Sequence, residues 1–254
     1  RIELGQPFDG GQQGTHVCGT IAGGTTPDGV AIGVAPEANL LVGNVLSGEA
    51  TLRTIIEGIA WAVEKGADII NMSLGMTYYE PKFEEFFDLL LNQYSILPVV
   101  AIGNENHGNT SSPGSAFSAL SVGAAEQTGR GPRRLGIAPF SSGASLVFPG
   151  ALEKAMVTKP DVVAPGASVY SCIPALPGKM EYAYMDGTSM ATPHVAGVAA
   201  LLMAAYPEAS AVDIATALRE TSWHPRGNML RPDNRWGHGM VEPMKAFQFL
   251  STLT

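Results

Sequence analysis

Cysteine, charge and long apolar runs are all scarce in this 254-residue sequence, and each scarcity closes off a class of protein. Two cysteines, Cys18 and Cys172, cannot build a disulfide framework and lack the spacing of a metal site; they leave either two buried thiols or one disulfide. Charged residues make up only 15% and form no long run of one sign. With a net charge of −8, this argues against a nucleic-acid binder, which normally shows a basic face. No apolar run reaches the roughly 18 residues needed to cross a bilayer, so no membrane span is expected. No signal-peptide pattern opens the chain, whose first residues read like the middle of a domain.

What is plentiful points to one folded domain. Hydrophobic residues reach 45%, which excludes disorder, and 30 glycines fit many tight turns between short elements. Asn39 to Val45 reads as a buried strand. Thr51 to Lys65 reads as an amphipathic helix, with Leu52, Ile55, Ile56, Ile59, Ala60 and Val63 on one stripe, a cap at Thr51 and a stop at Gly66. Strand-like runs follow at Asp68 to Leu74, Ile96 to Ile102 and Ala119 to Ala124, with a helix-like stretch from Glu80 to Tyr94 between the first two. This alternation predicts an α/β fold with a parallel central sheet and helices on both faces. Gln127 to Lys159 is irregular, Asp161 to Tyr170 looks like a strand and turn, and helices are expected over Ser189 to Ala205, Ala211 to Thr221 and Pro243 to Leu250. No linker or repeat divides the chain, so residues 1–254 are read as a single domain.

Asp186 and Gly187 predict a sharp turn that puts Ser189 at the start of a helix. Free N–H groups and positive dipole character gather there, and a serine oxygen in that place lies near donors able to stabilise an oxyanion. On these residues alone, Ser189 or Thr188 is either a plain N-cap or a nucleophile. The wider string decides. Gly187 to Leu202, GTSMATPHVAGVAALL, closely resembles the nucleophile segment of the subtilisin-like serine proteases (peptidase family S8), whose serine corresponds to Ser189. Val99 to Asn106, VVAIGNEN, resembles the segment that supplies that family's oxyanion-hole asparagine, here Asn104. Ala67 to Gly75, Lys159 to Gly166 and Trp236 to Val241 agree in the same order, whereas between about Gly129 and Thr158 only Phe140 to Ser142 can be placed.

The resemblance implies a subtilisin-like three-layer fold and a serine endopeptidase acting on peptide or protein substrates through an acyl-enzyme at Ser189. It implies that Ser73, Leu74 and Gly75 pair with an extended peptide backbone. Leu52 and Ile55 would line the S4 pocket, unless they are ordinary core residues. Ala101, Ile102 and Gly103 would form one wall of S1, with Ser111 near its base, and small or apolar walls suggest apolar substrate side chains. Secretion is a family tendency, but the sequence does not give the compartment. Structural calcium is common in the family, yet Asp9, Asp28 and Glu37 are too scattered to name as ligands, and no other cofactor is implied.

Two departures stand out. The family's segment HGTHVAGT, whose first histidine is the general base, reads QGTHVCGT here, so Gln13 occupies the catalytic position and His16 the structural one. Glutamine has no useful pKa near neutrality; it can hold a hydrogen bond to Ser189 but cannot take up and return a proton. The aspartate that orients the histidine ends a central strand in the family, and none of the 12 residues before Gln13 resembles that strand. Asp9 maps only to the loop before the helix. The domain is therefore read as N-terminally incomplete, with something expected to fill the gap that the missing strand would leave, such as a propeptide or an N-terminal segment. Three explanations stay open: a protease whose leading strand lies on another segment or chain and whose base is substituted, a natural pseudoprotease that binds peptides or a partner, or activity through an unfamiliar constellation.

Overall fold

The structure is a computed structural model that describes residues 9–46, 51–131, 133–147, 156–175 and 181–253. Its centre is a five-stranded sheet. Strands β1 (Ile69–Met72), β2 (Leu97–Ala101) and β3 (Leu120–Gln127) lie side by side and parallel, in the registers Asn71 to Val99 and Val99 to Leu120. Strand β4 (Leu135–Ile137) pairs antiparallel with the end of β3, so the sheet is not purely parallel. Two-stranded ribbons flank the sheet: β5 (Ala144–Val147) with β6 (Met156–Lys159), and β8 (Val169–Cys172) with β9 (Tyr182–Met185). Between the ribbons, β7 (Val162–Pro165) runs parallel to β3.

Helices cover both faces, and strand alternation sorts the core between them. On β2, Leu97 and Val99 join the cluster beneath α4 (Thr188–Ala205), α5 (Ala211–Thr221) and α6 (Pro243–Leu250). Val100 on the same strand joins the opposite cluster, with Ile55 and Ile59 of α2 (Leu52–Glu64) and Phe83, Phe87 and Leu90 of α3 (Lys82–Asn92). Phe83 and Phe87 are fully buried with ring centroids 5.5 Å apart; burying such a side chain contributes about 1.5–3 kcal/mol. Local signals fix the helix ends. Thr51 and Thr54 form a reciprocal capping box, as do Ser210 and Asp213, Pro243 opens α6, and Gly66 takes φ +75° behind α2. The first described helix, α1 (Gln13–Ala22), packs on α4 and β8.

One expectation needs correction, and three others can be set against the structure. Asn39 to Val45 is not a strand: it pairs with nothing among the described residues, and Leu40, Leu41 and Val42 are each more than 40% exposed. A strand exists only through its neighbour, and among the described residues β1 pairs with β2 alone. The expected filler of that gap is likewise absent from the described residues; residues 1–8 lie outside them. Cys18 and Cys172 are free, partly buried thiols. Finally, α4 has the length and mean hydropathy of a membrane-crossing helix, which a search for unbroken apolar runs misses because Thr, Ser, Pro and His interrupt it. It is 61% buried inside the fold, the position of a core helix.

Candidate active site

The serine is presented by a turn that glycine makes attainable. Asp186 Oδ1 accepts the Ser168 N–H at 2.6 Å, and the Gly187 N–H donates to Gly166 O at 2.8 Å, tying the turn down on both sides. Gly187 has φ +150° and ψ 157°, a region closed to other residues except under strain. Ser189 follows in the first turn of α4, where N–H groups lack helical partners.

Asn104 faces this turn. It lies just beyond β2, after Gly103 at φ +112°. Its Oδ1 accepts both the N–H and the hydroxyl of Thr188, each at 3.0 Å, which fixes the amide orientation and leaves Nδ2 as an unengaged donor among the described residues. A Cβ placed on Gly187 would lie 3.6 Å from Asn104 Nδ2 and 3.6 Å from the Ser189 nitrogen. Two N–H donors therefore flank one small space beside Ser189, the arrangement that binds a developing oxyanion. Left-handed backbone in this loop falls on Gly103 and Asn106, not on Asn104, so turn geometry does not account for that asparagine.

Among the described residues, no base is bonded to Ser189 on its other side. Asp9 caps the start of α1, its Oδ1 accepting from Gly11 N at 2.9 Å and its Oδ2 from Thr15 N at 2.7 Å and Thr15 Oγ at 2.8 Å. Burial pushes the Asp9 carboxyl up, but the bonds from Thr15 and Gly11 hold it below its usual value. Gln13 opens the helix and donates through Nε2 to Ser73 O at 2.8 Å; the direct bond to Ser189 that the sequence allows is not made. Ser189 Oγ instead donates to the same Ser73 carbonyl at 3.3 Å. His16 is fully buried, with Nε2 3.0 Å from Val169 O and 3.2 Å from Ala183 O, and His194 turns back so that Nδ1 lies 2.8 Å from Met190 O. Burial lowers the pKa of both imidazoles. Neither bonds to Ser189.

The substrate side is less uniform than the sequence suggests. Leu74 and Gly75 have no backbone hydrogen-bond partner among the described residues, as an edge open to an added strand requires. Ala101 and Ile102 are buried, and Gly103 is partly open. Ser111 sits between the two glycine walls, close to the Cβ positions of both Gly75 and Gly103. Its hydroxyl donates at 2.7 Å to Glu105 Oε2, which also accepts from Ser142 Oγ at 3.2 Å. Glu105 was visible in the string VVAIGNEN as the one charge among small residues, and sequence reasoning passed over it; it makes this end of the site polar. Ile55 is only 4% exposed and Leu52 packs against the same α2–α3 core cluster. No group of three or more His, Cys, Asp or Glu able to hold a metal occurs among the described residues.

Comparison with known proteins bears on the family and the fold. The model of the subtilase family matches residues 9–239. The chain is 35% identical over 235 residues to Subtilisin Savinase of Lederbergia lenta, covering 92% of this chain and 76% of that protein. It is equally similar to the M-protease of Shouchella clausii (strain KSM-K16), and spans about half (54%) of that relative's length. Among solved structures, fervidolysin of Fervidobacterium pennivorans superposes with a TM-score of 0.73 at 28% identity, over 94% of this chain and 36% of that one.

Proposed function

The chain belongs to the subtilase family (peptidase family S8), a family of serine endopeptidases, and from this premise we propose that it carries the nucleophile and oxyanion hole of a peptide-bond hydrolase without a working general base. In this reading Ser189 is the nucleophile, Asn104 Nδ2 and the Ser189 N–H receive the oxyanion, and a peptide lies along Ser73, Leu74 and Gly75 with its P1 side chain beside Ala101, Ile102 and Gly103. Leu52, only partly buried, borders the S4 position, with Ile55 buried in the core behind it. Gln13 stands where the base belongs.

One observation carries the proposal. Gln13 Nε2 and Ser189 Oγ both donate to Ser73 O, and no histidine bonds to Ser189. A hydroxyl without a base to take its proton is a weak nucleophile. Among the described residues, the unpaired outer edge of β1, the exposed Leu40 to Val42 and the buried, unpartnered Asn71 Oδ1 support a docking place for an aspartate-bearing strand, supplied by another segment or a second chain. A fluorophosphonate probe should label Ser189 at least about 10²-fold more slowly than it labels an intact subtilase alongside, the scale that general-base catalysis supplies. Gln13→His alone should recover little, because no carboxylate bonds to position 13 among the described residues to orient the new imidazole. Fast labelling of the unaltered chain, or full recovery by that single change, would overturn the reading.

A second reading is a pseudoprotease that binds peptides and does not cut them. The 2.8 Å bond from Gln13 to Ser73 O favours it, since the amide is built into the site. Extended peptides would then bind and be recovered intact from a long incubation.

A further inference from the structure

In an α-helix each carbonyl accepts the N–H four residues on. For the carbonyl of Ser189 that donor would come from residue 193, which is proline and has none. The oxygen is nonetheless bonded: Ser73 Oγ, 116 residues away in sequence, donates to Ser189 O at 2.8 Å. Asn71 Nδ2 in turn donates to Ser73 Oγ at 3.1 Å, which directs the hydroxyl proton toward Ser189. The backbone of the same serine meets the other end of the nucleophile, Ser73 O accepting from Ser189 Oγ at 3.3 Å.

We infer that the Ser73 side chain is a positioning residue: its hydroxyl substitutes for the N–H that Pro193 lacks and holds the Ser189–Met190 peptide plane, and through the Ser189 Cα the Ser189 N–H and Oγ, in place for an oxyanion. The helix has a reason to need this. Thr188 O, one residue earlier, accepts the Thr192 hydroxyl at 2.7 Å, so the first turn is held by side chains as well as by backbone. An unbonded Ser189 carbonyl would tilt toward other donors and turn the Ser189 Cα that carries its N–H and Oγ. The inference rests on the reading of Ser189 as nucleophile given above.

The test needs no general base. An Ala-Ala-Pro-Phe peptide with boronic acid in place of its carboxyl forms a bond from Ser189 Oγ to boron; the hydroxyl proton leaves to solvent and trigonal boron becomes a tetrahedral anion, read directly by ¹¹B NMR. The same peptide as its amide reports binding without that bond. Ser73→Ala should weaken the boronate about tenfold, the scale of one lost hydrogen bond, and weaken the amide less, so that the ratio of boronate to amide affinity falls. Ser73→Thr, which keeps a hydroxyl, should retain most of the affinity. Pro193→Ala supplies the missing N–H, so the double variant Ser73→Ala/Pro193→Ala should regain the boronate affinity of Pro193→Ala alone. Unchanged boronate binding in Ser73→Ala overturns the inference, as does a double variant that stays weak or does not fold. Absence of tetrahedral boron in the unaltered protein sinks the nucleophile reading itself, a result distinct from either.

Discussion

Replacing Gly187 by alanine separates backbone strain from site chemistry in one variant. The residue sits at φ +150°, ψ 157°, and a Cβ added there meets Met190 Sδ at 3.5 Å and the Asn104 and Ser189 nitrogens at 3.6 Å each. Those are ordinary contacts, so no collision is expected and the penalty is conformational, about 1–3 kcal/mol for a non-glycine residue in that region. For a domain of this size each kcal/mol lowers the melting temperature by about 2–4 °C, which predicts a fall of about 2–12 °C. The new methyl also fills the space between the two donors, so tetrahedral boronate binding should drop sharply. Gly66→Ala is the control: it has φ +75°, with nothing within 4 Å of the added Cβ, and lies behind α2. It should cost about 1–2 kcal/mol and leave the boronate untouched. Differential scanning calorimetry and ¹¹B NMR on both variants decide the matter. A Gly187→Ala protein that binds the boronate as well as the unaltered chain would refute the placement of the oxyanion site.

Acid should weaken the fold through its histidines. Burial lowers the pKa of His16, His194 and His238, so the unfolded chain takes up protons below about pH 6.5 that the folded chain refuses. Stability is then full above that pH and falls as pH drops toward the folded pKa values, by up to about 1.4 kcal/mol per pH unit for each group; Glu84, pushed up by burial, works in the opposite sense. Urea unfolding between pH 7.5 and 5 should show the fall, and a flat profile would contradict it. Lys159 is 1% exposed, with Nζ 2.8 Å from Asp161 Oδ2 and 2.9 Å from Ala119 O, and Arg219 lies 3.4 Å from the other carboxylate oxygen. Lys159→Met should cost about 3–5 kcal/mol by leaving Asp161 short of its buried partner. Adding Asp161→Asn should restore part of that loss, and equal stability of Lys159→Met and the unaltered protein would show that the pair is not what holds this corner.

The boundary between what the sequence disclosed and what it withheld follows the range of the forces involved. Helix ends at Thr51, Ser210 and Pro243 depend on bonds within one turn, and their residues announce them. Ser189 and Asn104 stand out as candidates because a long string points to each, and the structure then supplies what a string cannot: the Thr188 donors that aim the Asn104 amide. Asn39 to Val45 has the composition of a strand but not the fate of one, because pairing is a property of two segments and the described residues hold only one of them. The same logic governs Gln13. Its identity pointed to a missing base, whereas its bond to a carbonyl 60 residues away, shared with Ser189 Oγ, could only emerge from tertiary placement. That shared carbonyl changes what the substitution means. An imidazole deleted from a polar site leaves a void for water, but a glutamine bonded to Ser73 O occupies the approach that a base would use. On the proposed reading, restoring a base therefore requires displacing a hydrogen bond as well as supplying a proton acceptor.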